Sequence, residues 1–397
     1  MRYKRPVLAS GRRILRTVRV SGPRRTAALL LERAAPPAVR RRLPESTVSV
    51  DALTAQVEAI LRAWGMSDEH ASITAEHIVY ADLRGIDSHG CGMLVHYHRA
   101  LLDGRLNPRP SIAVVRENES TGLIDGGGGL GHVPGHTAIS LAVAKCRTTG
   151  LGGVAVRNSG HFGAAGAYAA RAAAAGCLGF VTSSADLPAM VPTRGKQAML
   201  GTNPISFAAP ARRNRPFLLD MATSTASLGK VVDAWRRGRS IPPGWALDKS
   251  GSPVTNARRA YKQRLLTPLG ATSVLGSHKG YGLALMAETL SSILTGMSAW
   301  EQAPCRQRPV GHFFLAIDPR RFRGDDDFGA DLDTMLDSLR ATDPIDASEP
   351  VLVAGDPEYA AEAERGKSGI PLTRKVVEDI RAIAASADVP FVLDAPE

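Results

Sequence analysis

Val156-Arg157-Asn158-Ser159-Gly160-His161-Phe162-Gly163-Ala164-Ala165-Gly166 joins a short apolar strand signal to an Ala-rich helical one. A strand, a glycine turn and a helix start form the layout of a dinucleotide-binding turn, and the glycine spacing decides which kind. In the doubly wound Rossmann fold the turn reads GxGxxG, with an acidic residue about 20 positions on to meet the ribose. Here the glycines fall at 160, 163 and 166, a GxxGxxG pattern, and the next acidic residue is Asp186, 26 positions after Gly160. The Rossmann reading fails. Backbone N–H groups at the helix start can still seat an anion. Small residues at 163 and 166 suit helix–strand packing, but packing does not ask for His161.

On either side of this turn, strand and helix signals alternate. A helix is expected over about 135–149, an Ala-rich one over 163–175, and strands at 178–183, 204–209 and 216–220. Three helices precede the first strands. The first follows Asp51 as N-cap, with Leu53, Val57, Ile60, Leu61 and Trp64 on one face and Gly65 as its stop. The second opens at Ser67 and ends at Gly85; the third covers about 90–103. Strands are expected near 112–116 and 121–125. After a helix at 226–237 and an irregular stretch to 275 come a long apolar helix (279–296), a strand at 313–317, and helices at 328–340 and 372–386. The fold class is α/β (α+β), with no repeat architecture.

The net charge of +11 suggests a nucleic-acid or anionic-membrane partner until its distribution is read. Residues 1–45 hold thirteen basic side chains and two acidic ones, so the remainder carries 36 of each sign. The Arg-, Ala- and Pro-rich residues 1–47 cannot bury enough apolar surface to order themselves and are expected to form a disordered basic extension. No run approaches the ~18 apolar residues of a membrane helix. Cys91, Cys146, Cys177 and Cys305 form no CxxC pair and suit buried thiols in a reducing cytoplasm. No histidine cluster has metal-ligand spacing, and no metal is expected.

Three further stretches could carry chemistry. Arg84-Gly85-Ile86-Asp87-Ser88-His89-Gly90 puts an imidazole in a turn between helices, where it can exchange a proton with a substrate. A capping cluster with an exposed His89 fits the same residues. Gly201-Thr202-Asn203-Pro204 and Leu218-Leu219-Asp220-Met221-Ala222-Thr223-Ser224 place polar side chains at strand ends, as an Asx-capped turn also would. Gly276-Ser277-His278-Lys279-Gly280 precedes an apolar helix and forms an anion seat without Walker spacing, or simply an exposed turn.

Seven motifs in register resemble the malate/L-lactate dehydrogenase family of non-Rossmann type. They are DLRGIDSHG (82–90), RNSGHFGAAGAYA (157–169), GTNPISFAAP (201–210), LLDMATS (218–224), PLGATSVLGSHKGYGLALM (268–286), GHFFLAIDP (311–319) and PVLVAGDPE (350–358). That family also includes ureidoglycolate and sulfolactate dehydrogenases, diketogulonate reductase and piperideine-2-carboxylate reductase. The resemblance implies a non-Rossmann NAD(P)-binding domain at 126–300. It also implies a helical, discontinuous second domain built from 48–125 and 301–397. The implied cofactor is NAD or NADP, with NAD favoured, and the implied assembly is a homodimer without nucleic-acid or membrane partners. Carried over by motif, His89 is the first candidate for acid/base work and His161 the second, assisted by Ser88 and Asp186. His161, Ser183, Ser184, Asp220, Met221, Ala222, Lys279 and Gly280 fall at cofactor-contacting positions.

One departure matters. The family often reads SHGxxR, whose arginine suits a substrate carboxylate, and this chain has Met93 there. Arg84, His96 or Arg99 could take its place. The implied reaction is hydride transfer between the nicotinamide and C2 of a small 2-hydroxy/2-oxo acid such as malate, lactate or sulfolactate. Reduction of a cyclic ketimine (piperideine- or pyrroline-2-carboxylate) is the nearest alternative. Nucleic-acid binding through the basic arm is the alternative from another class. Because the excess charge sits in that arm, a chain beginning at Glu45 should fold and keep full turnover. Lost ellipticity or lost activity on that truncation would place the arm in the enzyme.

Overall fold

The computed structural model describes residues 45–297, 310–323 and 327–393. Residues 1–44 of the segment read as a basic extension, and Cys305, lie outside them. Order begins with a strand rather than a helix: β1 (Glu45–Val48) pairs antiparallel with the strand Ile370–Thr373, Val48 opposite Ile370. Helix α1 (Val50–Ala63) is capped by Ser49, not Asp51; the Ser49 hydroxyl accepts the Ala52 N–H at 3.1 Å. Asp51 lies in the first turn, where its charge favours the helix dipole. Ser67 caps α2 (Asp68–Leu83) as expected, and Gly65 and Gly85 take φ of 100° and 76° just past the two helix ends. The helix expected at 90–103 is divided. A single 3₁₀ turn, Cys91–Met93, precedes α3 (Leu94–Leu102), because the buried Asp82 carboxylate captures the Cys91 N–H at 2.6 Å. A Cβ on Gly90 would lie 1.8 Å from that carboxylate, so only glycine fits there.

The sheet follows. Strands β2 (Ala113–Glu117) and β3 (Thr121–Asp125) lead to α4 (His132–Thr149), β4 (Leu151–Ser159), α5 (Ala165–Ala174) and β5 (Leu178–Ser183). Next come β6 (Ile205–Ala209), β7 (Phe217–Met221), α6 (Leu228–Arg236), α7 (Ala257–Gln263) and α8 (Ser277–Glu288). The long apolar helix expected to 296 changes to a π turn at Thr289–Ile293. Strand β8 (Val310–Ile317) then enters between β4 and β5, giving the order β2-β3-β4-β8-β5-β6-β7. Among the described strands of this sheet only β3 and β4 run parallel. A Rossmann sheet is mostly parallel, so the topology agrees with the failed fingerprint.

Glycines set how closely the helices approach the sheet. A Cβ on Gly152 would lie 2.0 Å from the Ala142 carbonyl oxygen, and one on Gly179 2.8 Å from that of Ala169, so α4 and α5 rest directly on β4 and β5. Val154, Val156, Val181, Phe314 and Ala316 fill the core between them. On the other face, Gly311 meets the Ser291 carbonyl of the π turn, 1.8 Å from where a Cβ would stand. Helices on both faces of a mixed sheet are the α/β architecture expected.

The chain ends with α9 (Phe328–Arg340), α10 (Asp356–Ser368), β9 (Ile370–Thr373, the partner of β1) and α11 (Arg374–Ser386). Helix α10 has no apolar stripe to read, since none of its residues is buried. Ion pairs hold it instead: Arg340–Asp356 at 2.7 Å and Arg84–Glu362 at 2.6 Å. Leu53, Ile60, Ile78 and Leu94 share one core with Ile370, Leu372, Ile380 and Ile383, so the two ends of the described chain close one helical layer. Gly152→Ala should lower stability by about 1–3 kcal/mol through overpacking, seen as a lower urea midpoint at unchanged slope. An unchanged midpoint would show that α4 can lift off β4 freely.

Candidate active site

Strand register collects the candidate residues at one end of the sheet. Ser159 at the end of β4 faces Val310 of β8, His312 faces Ser183 at the end of β5, and Ile205 faces Met221 at the end of β7. The connections 126–131, 160–164, 184–204 and 222–227 all leave from this end. The first is a glycine run that motif reading missed, although five of its six residues are glycine directly after a strand. Gly126 and Gly128 donate to the Arg157 and Asn158 carbonyls at 2.8 Å, and Gly131 to the His161 carbonyl at 2.9 Å. A Cβ on Gly131 would stand 2.5 Å from the Gly160 oxygen. Backbone lies on backbone, which fixes the segment carrying His161.

The His161 ring is held from one side. Tyr97 Oη lies 2.7 Å from its Nδ1, and the Gly163 N–H points at the same nitrogen from 3.3 Å. An amide N–H can only donate, so Nδ1 is an acceptor in this arrangement and the ring proton sits on Nε2. His89 stacks on His161 with centroids 5.5 Å apart and planes 22° apart. Its own Nδ1 lies 2.8 Å from the Ser88 hydroxyl. Ser88 is wedged against the first turn of α6, where a Cβ on Gly229 would come within 2.6 Å of its Cβ. Burial pushes His89 down to about 4. Burial, then the neighbouring imidazoles with His89 first, holds His161 well below the ordinary histidine range. Both rings are neutral at pH 7.

Behind this pair the interior holds more imidazoles than the motifs suggested. His132 is fully buried with neither ring nitrogen partnered among the described residues, and His77 stacks on Tyr168 at 4.4 Å. His312 lies flat on Phe162, centroids 4.4 Å apart, and bridges the Ser183 and Ser159 hydroxyls at 2.9 and 3.0 Å. Burial lowers it to about 3. Ser183 is thus engaged with His312, and Ser184 accepts the Gly311 N–H at 3.0 Å.

The remaining cofactor candidates gather at the adjoining loops. Asp220 turns its carboxylate to the Gly166 N–H, 2.7 Å away at the start of α5. Beyond Met221 and Ala222, the Thr223 carbonyl takes the Leu269 N–H at 2.9 Å. Gly280 presses on Leu269, with a Cβ position only 2.4 Å from that nitrogen. Lys279 is therefore close in the fold to the 221–223 loop. It is exposed in the first turn of α8 and makes no ion pair among the described residues. A helix N-terminus with a cation beside it fits the pyrophosphate of a dinucleotide.

A cavity of about 200 Å³ opens on His161. His96, Tyr97, Arg105, Asn158 and Asp186 line it with His161. Asp186 shares the wall and acts on His96, opposing the burial that lowers that ring. Lys279 lies outside this wall, as do Ser183 and Asp220. Of the three side chains considered in place of an arginine at 93, only His96 lines the cavity. Arg84 is paired with Glu362 and lies 3.8 Å over the Tyr80 ring, while Met93 packs against the helical core. Among the described residues no three His, Cys, Asp or Glu side chains could hold a metal, and no helix is long and apolar enough to cross a membrane.

Comparison with known proteins agrees with this architecture. A malate dehydrogenase of Pyrococcus horikoshii is 38% identical over 347 residues, covering 86% of this chain and 96% of the relative. An L-sulfolactate dehydrogenase of Methanocaldococcus jannaschii is 37% identical over 328 residues, 82% of this chain and 92% of its own. The crystal structure of malate dehydrogenase from Entamoeba histolytica superposes with a TM-score of 0.83 at 31% identity, covering 87% of this chain and 99% of that one. With residues 48–381 also matching the family model described as malate/L-lactate dehydrogenase, the chain belongs to the malate/L-lactate dehydrogenase family of oxidoreductases.

Proposed function

We propose that the protein is an NAD-dependent dehydrogenase that interconverts a small 2-hydroxy acid and its 2-oxo acid, with His161 as the proton carrier. The observation that carries this reading is the cavity of about 200 Å³ with His161 in its wall and Arg105 and Asp186 beside it. Motif reading puts His89 first. We prefer His161 because it lines the cavity and its ring is oriented by Tyr97 and Gly163. His89 stacks on it, covering one face of the ring. Residues 126–300 hold the cofactor on a sheet that also takes β2 and β3 (113–125) and β8 (310–317) from the spans given to the helical domain, with Lys279 and the α8 N-terminus at the phosphates. Buried thiols at Cys91, Cys146 and Cys177 suit a cytoplasmic enzyme. The exposed Val274 and Leu275 beside α8 suit burial against a second copy.

When bound, the nicotinamide supplies or receives the hydride at C2. In the reductive direction, protonated His161 gives its Nε2 proton to the oxygen that gains charge. In the oxidative direction, Nε2 must be bare, so Nδ1 carries the ring proton and donates to Tyr97 Oη. A hydroxyl can donate or accept, so Tyr97 serves either tautomer, while the long Gly163 N–H contact at 3.3 Å is given up when Nδ1 carries the proton. Ser88 holds His89, and the packing of α6 on Ser88 holds that turn.

The test is a spectrophotometric screen of pyruvate, oxaloacetate, sulfopyruvate and piperideine-2-carboxylate with NADH and then NADPH. Turnover of the cyclic imine alone would replace this reading with an imine reductase. With the substrate found, His161→Asn should lower kcat by about 10²–10⁴-fold, the usual worth of general acid/base help, and leave NADH binding intact. His89→Asn should cost less; the reverse ranking would move the proton to His89. The lowered titration of His161 also sets a pH signature. Oxidation needs the neutral ring, already present at pH 7, so its kcat/KM should stay flat from pH 8 to below 6. Reduction needs the protonated ring, so its kcat/KM should rise as pH falls over the same range. A break in the oxidative profile near 6.5 would mean that an ordinary exposed histidine does the work.

A further inference from the structure

We propose that residues 228–264 form a cationic lobe that draws the acid substrate to the cavity, an assignment that rests on the 2-oxo acid reading above. The excess charge of the whole chain sits in residues 1–45, but the neutral remainder is itself divided. Residues 228–264 hold nine basic side chains and two acidic ones, while the rest of 46–397 holds 27 basic and 34 acidic. Both acids of the lobe are engaged, Asp233 with Arg237 at 2.6 Å and Asp248 with Arg259 at 3.0 Å. Lys230, Arg239, Lys249, Arg258 and Lys262 are exposed and Arg264 is half-buried; none of the six makes an ion pair among the described residues. The fold forces this display. Ser227 caps α6 and Asn256 caps α7, and the two helices close a small core that includes Val231, Ala246, Ala257 and Leu266. A core of that size covers one face of each short helix and leaves the basic face to water.

The lobe is fastened to the site end of the sheet from two sides. The Leu266 N–H donates to the Ala189 carbonyl at 2.8 Å and its carbonyl accepts the Val191 N–H at 2.9 Å, just beyond Asp186 in the cavity wall. The first turn of α6 packs on Ser88, which holds His89. Charge from the lobe reaches the wall as well. His96 is lowered first by burial, which Asp186 opposes, and then further by the guanidiniums of Arg105, Arg264 and Arg99. Arg264 ends α7 with a left-handed φ of 49°, its guanidinium 5.8 Å from the centre of the Tyr261 ring. Arg258 and Lys262 lie one turn apart on one face of the same helix, and Arg258 is about 9 Å of helix rise from Arg264. Cations that stay in water act through their summed field, which concentrates an anion beside the cavity and favours it once bound. At about 0.01 M salt the Debye length is about 30 Å and charges across the lobe act together; at about 0.5 M it is about 4 Å and they do not.

The experiment follows steady-state reduction by the full-length chain at saturating NADH, from about 0.01 M to about 0.5 M sodium chloride. The probe is the 2-oxo acid that the wild type reduces best among pyruvate, oxaloacetate and sulfopyruvate. For an acid with two negative charges, wild-type kcat/KM should fall by about tenfold over this range, and by about threefold for an acid with one, with kcat level. The double variant Arg258→Glu/Lys262→Glu should lose a further factor of about ten in kcat/KM for a doubly charged acid at low salt, and Arg258→Gln/Lys262→Gln about three. Both should match the wild type at high salt, which a loss through packing would not do. A flat wild-type profile, or a loss in the Gln pair that persists at high salt, overturns the assignment. A salt dependence found for NADH at saturating acid but absent for the acid gives the lobe to the cofactor and overturns it too. A wild type that reduces no 2-oxo acid at all defeats the proposed function itself, and the assignment with it.

Discussion

Two loops that touch through bare backbone hold the rest of the site in place. The glycine run 126–131 lies against residues 157–161 by three N–H to carbonyl bonds of 2.8–2.9 Å, and a side chain at Gly129 or Gly131 would strike Pro110 or Gly160. Each such bond adds little net stability. Their value is positional: they fix the height of His161 above the sheet and carry the Asn107 tether that sets the loop of Arg105. Strand β8 closes the arrangement from beneath. Its His312 bridges Ser159 and Ser183 across two strands, so the ends of β4 and β5 cannot spread apart without losing two buried hydrogen bonds.

Burial then sets the chemistry. Imidazoles in this interior stay neutral because a charged ring would be poorly solvated there. His77 and His312 are both lowered to about 3 and serve as flat, polar-edged packing pieces against Tyr168 and Phe162. His161 has the same environment but also borders a cavity. That difference separates an imidazole that packs from one that can act, and the residue type alone does not reveal it.

The sequence was informative where a local pattern had one physical meaning. GxxGxxG excluded a parallel Rossmann sheet, and the caps at Ser67 and the stops at Gly65 and Gly85 were read correctly because capping is local. Helix α10 was not legible: it is polar all round and docks through Arg84, Arg340 and Arg365, contacts made across long sequence separations. Asp51 is a capping type, but Ser49, two positions earlier, is one too and takes the cap of α1. Of the candidates that the motifs name, the fold stacks His89 on His161 and sets His161 and Asp186 in one cavity wall. The motifs do not name Tyr97, whose hydroxyl meets His161, since a tyrosine in an amphipathic helix looks like packing until the chain is folded.

Met93 belongs to the packing of the helical layer and not to the cavity wall. The 3₁₀ turn that carries it is bound to the buried Asp82 through Cys91, and Gly92 lies 3.7 Å (as a Cβ) from Val376 of α11. The turn is therefore part of the helical layer, and an apolar side chain there adds to the core it already touches. The loop of Arg105 has no such core role beyond Leu106, which anchors it. Met93 therefore reads as a packing residue, because an arginine in its place would set a charge against the apolar side chains of that layer.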